Sequence, residues 1–269
     1  MNKISRRLYS IPYFLWIVLF VVLPVLLVAY YSFFDVSGNF TFDNYRRFLT
    51  PVYLKMTVSS FWYAFLVTFF CLAVAYPTAY LLTYTKHKQL WLLLIILPTW
   101  INLLLKTYAF IGLFGAYGPV NEFFGFIGIG AQNLLFTDFS YVFVTTYIFI
   151  PFMIMPIFNS LEEMNISLIR ASRDLGASSA QTFKRVILPL TMDGVKAGCQ
   201  AVFIPALSLF MITRLISGNR VVTLGTAIEQ HFLVTQDWGM GSTIAVVLII
   251  AMGIIMYATG ERKQKGGGK

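Results

Sequence analysis

IRASRDLGASSAQTFKRVILPL, residues Ile169–Leu190, is the longest polar stretch between apolar runs of membrane length in this chain. Just ahead of it and within it, Leu168, Ala171, Ser172 and Leu175 recur at i, i+3, i+4 and i+7, which predicts a short amphipathic helix. Gly176 follows where a helix end turns left-handed. Ser178 and Gln181 have the S-x-x-Q spacing in which two side chains cap each other's backbone and start a second helix. That helix carries Phe183, Val186 and Ile187 on its apolar face; Pro189 closes it, and Asp193 is placed to cap the next span. The product is a helix–glycine–helix elbow with Arg173, Asp174, Lys184 and Arg185 on its polar surface. A segment that only connects two spans does not need two capped helices. The elbow therefore reads as a protein-docking surface, with a plain solvated loop as the alternative.

Around the elbow the chain is membrane-grade. Of its 269 residues 58% are hydrophobic, 17% aromatic and only 12% charged, with a mean hydropathy of +0.75. A soluble domain carries about 25% charged residues. Runs at 11–34, 57–84, 90–115, 139–160, 195–216 and 240–258 each approach the roughly 20 apolar residues that cross a bilayer. The fold class expected is all-α, a polytopic membrane protein with six transmembrane helices. The first run is too long for the core of a signal peptide and no small-residue cleavage site follows, so it reads as a retained helix.

Charge sets the expected orientation. With the N-terminus in the cytoplasm, inner segments hold Lys3, Arg6, Arg7, Lys86, Lys88, Arg170, Arg173, Lys184, Arg185, Lys196, Arg262, Lys263, Lys265 and Lys269. Only Arg46, Arg47, Lys55, Lys106, Arg214 and Arg220 remain of the 20 cations. In short loops this bias favours both termini inside. The net charge of +9 thus reports topology, and no nucleic-acid site is expected. The organisation expected is a cytoplasmic N-terminus at 1–10, one transmembrane domain at 11–260 with a cytoplasmic coupling loop at 161–193, and a cytoplasmic tail at 261–269.

Several features exclude other chemistry. Gly266–Lys269 is not a phosphate-binding loop, because nothing follows the lysine, and GFIGIG (125–130) lacks the spacing and the preceding strand of a nucleotide fingerprint. Cys71 and Cys199 fall within spans without ligand neighbours, and His87 and His231 are far apart. No catalytic residue, metal or bound cofactor is expected. An ion-coupled transporter would carry charges near the midplane, whereas Lys106 and Arg214 fall toward the outer ends of their spans, where snorkelling or lining a vestibule explains them. Pro77, Pro98, Pro151, Pro156 and Pro205 predict kinks in four spans. Phe42, Tyr45, Phe48 and Leu49 predict a short surface helix, and Leu224, Ala227, Ile228 and His231 share a helical face in a long outer loop.

The elbow resembles the EAA loop of ABC importer permeases. Arg170, Ala171 and Ser172 stand at the E-A-A positions, Gly176 at the glycine, and Val186-Ile187-Leu188-Pro189 at the closing I-x-L-P. Arg170 for glutamate, Ser172 for alanine and Val186 for isoleucine depart from the pattern. The wider chain is similar to PotB-type permeases of spermidine/putrescine importers through FDNYRRFL, LPTWINLLLKTYAFIG, FIPFMIMPIFNSL, ASRDLGASSAQTF, TLGTAIEQHF and DWGMGS. The resemblance implies a type I importer fold and a bacterial inner-membrane, multi-pass location. It also implies a second, PotC-type permease, an ATPase dimer that supplies ATP and magnesium chemistry, and a substrate-binding protein that delivers polyamine. The implied coupling residues are Arg170, Ala171, Ser172, Arg173, Asp174, Leu175, Gly176, Ala177 and Ser178, with Pro189 closing the loop. A polyamine path needs aromatic faces and carboxylates. Trp100, Tyr108 and Tyr147 in the spans, and Glu229 and Asp237 in the outer loop, are the candidates.

Overall fold

A computed structural model describes residues 11–260. Lys3, Arg6, Arg7 and the tail 261–269, which carry part of the charge bias, lie outside the described residues. In chain order the helices are α1 (Ile11–Tyr31), α2 (Asp43–Phe48), α3 (Pro51–Thr83), α4 (Lys88–Trp100), α5 (Leu103–Phe114), α6 (Pro119–Phe126) and α7 (Asp138–Glu162). They continue with α8 (Ile166–Asp174), α9 (Ser179–Leu190), α10 (Met192–Ser208), α11 (Met211–Ile216), α12 (Leu224–Glu229) and α13 (Trp238–Thr259). Among the described residues no strand forms beyond a bridge between Phe34 and Phe40. Among the described residues five stretches are long and apolar enough to cross a membrane, and six if the bent pair α9–α10 counts as one.

Two expected spans are broken. The run at 90–115 is interrupted at Ile101, whose backbone is extended (ψ 135°), and the apolar stretch resumes as Leu103–Phe126. Pro98 withholds an N–H from the preceding turn, and Asn102 starts a new helix by accepting from the Leu104 N–H at 2.8 Å. The run at 195–216 ends at Ser208, because Leu209 is extended (ψ 117°); the Thr223 hydroxyl donates to its carbonyl at 3.2 Å. Pro205 weakens the turn just before this break. Asp193 does not cap α10. It lies in the first turn and pairs with Lys196 at 3.3 Å.

The chain divides into two compact units. One comprises the chain up to Thr57 together with Leu224–Gly253. In it α1 is apolar throughout and none of its membrane-length window is buried. Pro24 forces a wide turn at Val18–Val22, where the Leu23 N–H reaches back to the Val18 carbonyl. α2 is shorter than the expected surface helix. It buries Phe48 and Asn44, while Phe42 and Leu49 are exposed. The Asn44 amide donates to the carbonyls of Ser32 at 3.3 Å and Phe34 at 2.9 Å, which fixes the loop after α1. Gly239 lets the start of α13 approach this loop, since a Cβ there would lie 2.7 Å from the Asn44 amide nitrogen.

The other unit comprises Val58–Thr223 and the chain from Ile254 onward. Its main helix pair is α7 against α10. Gly194 and Gly198, four residues apart, bring the backbones together against Pro156, Ile157, Ser160 and Met153. Small residues are needed because lipid offers no hydrophobic drive for helix association, so close contact supplies the energy. Tyr141, Val144 and Ile148 of α7 pack with Phe114, Ile212 and Ile216.

A Cβ on Gly194 would lie 2.5 Å from the Ser160 Cβ and 2.6 Å from the Pro156 carbonyl oxygen. Gly194→Val should therefore lose about 1–3 kcal/mol through overpacking, read as a lower unfolding temperature in detergent. Gly125→Ala, with nothing within 4 Å of its Cβ, should leave that temperature unchanged.

Candidate functional site

The elbow is built by local caps. Asn165 opens α8 by accepting from the Ser167 N–H at 2.9 Å. At its other end Gly176 is left-handed (φ 82°). The Gly176 N–H reaches the Arg173 carbonyl at 2.9 Å and the Ala177 N–H reaches the Ser172 carbonyl at 3.1 Å. These two bonds close the carbonyl end of the helix in a way that only a left-handed residue permits. The reciprocal cap follows: the Gln181 N–H donates to the Ser178 hydroxyl at 3.3 Å and the Ser178 N–H donates to the Gln181 side-chain oxygen Oε1 at 2.9 Å.

Other contacts tie the elbow to the spans. The hydroxyls of Ser172 and Thr182, 2.7 Å apart, join α8 to α9, so the serine that departs from the family pattern acts as a clasp. Phe183 sits edge-on between Tyr76 and Tyr80 of α3, with both ring centroids 5.6 Å away. α9 widens into a π-turn at Phe183–Ile187, where the Leu188 N–H bonds the Phe183 carbonyl. Pro189 explains this turn, because its ring displaces the ordinary carbonyl partner. It does not end the helix: α9 runs to Leu190 and bends 62° into α10 at Thr191. The buried Thr191 hydroxyl bonds the Tyr76 hydroxyl at 2.8 Å. Lys88 pairs with Glu162 at the end of α7. Sequence reading missed Tyr76, Tyr80, Thr182 and Thr191; the only available signal was a polar group beside a predicted bend.

The rest of the α8 surface faces outward. Arg170, Ala171, Arg173, Asp174, Leu175, Gly176 and Ser178 are exposed, and Ser172 and Ala177 are half-buried. Ile166, Leu168 and Leu175 expose 62%, 45% and 88% of their surface, although a short helix gains its stability by burying its apolar side.

The path candidates divide between the two units, with Trp100, Tyr108 and Tyr147 in one and Glu229 and Asp237 in the other. Trp100 is exposed at the end of α4, Tyr108 is exposed on α5, and Tyr147 lies on α7 against Phe110 with ring centroids 5.0 Å apart. Tyr147 also lines a groove of about 310 Å³ with Phe70, Phe139, Phe143 and Thr146. In the unit that holds the long loop, Glu229 is half-buried at the end of α12. Asp237 is 7% exposed and already engaged: one oxygen accepts from the Met240 N–H at 3.0 Å, capping α13, and the other pairs with Arg47 at 3.1 Å. His231 lies 4.0 Å from the same oxygen, and its Nε2 shares a 2.8 Å hydrogen bond with the Tyr53 hydroxyl. Burial lowers the His231 pKa and Arg47 adds to this, against the opposing pull of Asp237.

An all-helical chain with broken, proline-bent spans and a capped elbow between two of them has the architecture of an ABC importer permease. Solved structures agree. The chain superposes on a permease of a bacterial alginate ABC importer with a TM-score of 0.80 at 14% identity, covering 97% of this chain and 98% of that one. It superposes on the same kind of transporter, bound to a periplasmic protein carrying an alginate pentasaccharide, with a TM-score of 0.82 at 14% identity, covering 99% and 98%. No family model matches the sequence. Curated relatives do. The spermidine/putrescine permease PotB of Escherichia coli is 38% identical over 251 residues, 90% of this chain and 91% of the relative. That of Haemophilus influenzae is 34% identical over 266 residues, 95% and 93%. The chain belongs to the PotB family of spermidine/putrescine transport system permeases, proteins of the bacterial inner membrane.

Because the His231 pKa is lowered from its ordinary value of 6.5, its neutral form is favoured in the folded state. The stabilisation is complete above about pH 6.5 and falls as pH drops from there toward the folded pKa. Unfolding temperature should decline over this window, and His231→Gln should flatten the decline.

Proposed function

We propose that this chain forms half of the translocation path of a polyamine importer. Both termini face the cytoplasm, and the elbow at 161–193 docks in a cleft of an ATPase dimer. ATP and magnesium act on that partner, a PotC-type permease supplies the other half of the path, and a substrate-binding protein delivers spermidine or putrescine from outside. The observation that carries the docking is α8: its inner side is clasped by Ser172 while Ile166, Leu168 and Leu175 stand in solvent. Such a helix is held in place by its caps and its clasp and offers its remaining side to another protein.

The mechanism follows from the anchoring. A push on α8 passes through the Ser172–Thr182 clasp into α9, and from Phe183 and Thr191 into α3 and α10. These are rigid contacts between elements, which is how a local displacement at one end of a helix becomes a shift of the whole helix. For the cargo, Trp100, Tyr108 and Tyr147 offer exposed ring faces on which ammonium groups gain about 0.5–2 kcal/mol each. Glu229 and Asp237 are the outer-loop acids proposed for cargo entry, and Asp237 also pairs with Arg47 and caps α13.

Gly176→Val places a β-branched residue at φ 82° and misdirects α8. ATPase co-purification and uptake should both fall sharply while the chain still inserts; unchanged values would remove the docking assignment. Reporter fusions after Gln89 and Pro189 should read cytoplasmic, and those after Asn121 and Asn219 external. Vesicles reconstituted with all partners should take up labelled spermidine or putrescine. Uptake of a neutral or anionic solute in place of both would discard the polyamine cargo.

A further inference from the structure

We infer that the outward side of α8 recognises an acidic groove, with Arg170 set opposite a carboxylate of the ATPase subunit. This rests on the docking reading above and adds the chemistry of the partner surface.

α8 has two sides. Ile169 and Ser172, three residues apart, are its only half-buried positions and face its own chain. Ser167, Arg170, Ala171 and Asp174 follow at i, i+3, i+4 and i+7 on the other side, and all are exposed. Ala171 at the centre of that side has only a methyl group, so a partner can approach the backbone closely. Arg170 and Asp174 border it, and Leu168 and Leu175 form the apolar shoulder. Among the described residues Arg170 makes no ion pair and neither does Asp174, although they are spaced to meet.

The sign of the surface follows. Between Ile166 and Leu190 the exposed cations Arg170, Arg173, Lys184 and Arg185 outnumber the one carboxylate, Asp174; Glu163 is exposed just ahead of α8, and Asp193 beyond it pairs with Lys196. The nearby Glu162 is already taken by Lys88. Closing a protein surface over unpaired guanidinium groups leaves them desolvated without compensation, so a tight interface must bring counter-charge. Arg170 is the cation nearest the close-contact centre at Ala171, where a paired carboxylate would be most shielded from water. Guanidinium also presents a planar fork that matches a carboxylate in two-point geometry, which a lysine does not. Anionic lipid headgroups could answer the same charge, but they use neither the small central residue nor the exposed leucines. The geometry favours a protein groove.

The test uses the full chain in nanodiscs of zwitterionic lipid and, in parallel, of anionic lipid, titrated with its ATPase subunit at low and high salt, with a photo-crosslinker at Ala171 in a matching sample of each. We expect the cross-link to form with the ATPase. Arg170→Glu should weaken binding at least tenfold at low salt, and Arg170→Gln should flatten the salt dependence. Turning the cross-linked carboxylate of the ATPase into lysine should restore binding to Arg170→Glu, which separates a charge contact from damage to the fold. Equal affinity for wild type and Arg170→Glu, with the cross-link intact, overturns the acidic groove and leaves the docking reading standing. No cross-link to the ATPase from the wild-type chain overturns both. A cross-link that appears only with anionic lipid, and to that lipid, assigns the basic face to the membrane surface instead.

Discussion

A backbone polar group inside a membrane has to find its partner within the protein, and the breaks in these helices follow that rule. At the first, Asn102 takes over where Pro98 interrupts the ladder. At the second, the Leu209 carbonyl is met by the Thr223 hydroxyl. At the third, where the chain bends 62°, the Thr191 hydroxyl donates to the Ile187 carbonyl at 3.0 Å and also meets the Tyr76 hydroxyl of another span. Helices bent in this way keep a fixed shape, because each bend is held by a specific bond. The tight glycine contacts of α7 with α10 then hold the bent helix against its neighbour.

The elbow grows from the third break. Its two helices would be marginal alone, since α8 is shorter than the roughly 12–15 residues that sustain a free helix and α9 only reaches the lower end of that range. Asn165, Gly176 and the Ser178–Gln181 box satisfy their ends. Phe183 wedges the second helix between two tyrosines, and Ser172 clasps the first to the second. What remains outside is a small, charged and partly apolar face on a firm support. In the proposed function that face meets the ATPase, and the support carries its movement into α3 and α10.

How much of this was legible in sequence depends on range. The capping box and the left-handed Gly176 are set by residues within one turn, so their spacing sufficed. The membrane class was legible because apolar length alone decides it. The breaks at Ile101 and Leu209 were not, since Pro98 and Pro205 announce a disturbance but not whether the helix kinks or stops; the caps around each decide that. Tyr76 and Thr191 lie 115 residues apart, and nothing local pairs them. Asp237 shows the same limit at the candidate path. A loop carboxylate reads alike as ligand contact or helix cap until the fold sets Arg47, 190 residues away in sequence, against it. The Gly194–Gly198 spacing was visible but gains meaning only once Pro156 and Ser160 lie opposite.

The central claim is that the elbow is a firm, preformed docking unit. Amide hydrogen exchange of the full chain in nanodiscs, with and without the ATPase subunit, tests it most directly. The account predicts that the Gly176 and Ala177 amides, bonded to the Arg173 and Ser172 carbonyls, are protected in the chain alone. It further predicts that the amides of Leu168–Leu175 gain protection when the ATPase is added, while those of α6 do not change. Full exchange of Gly176 and Ala177 before the ATPase binds, or no added protection across α8 afterwards, would contradict it.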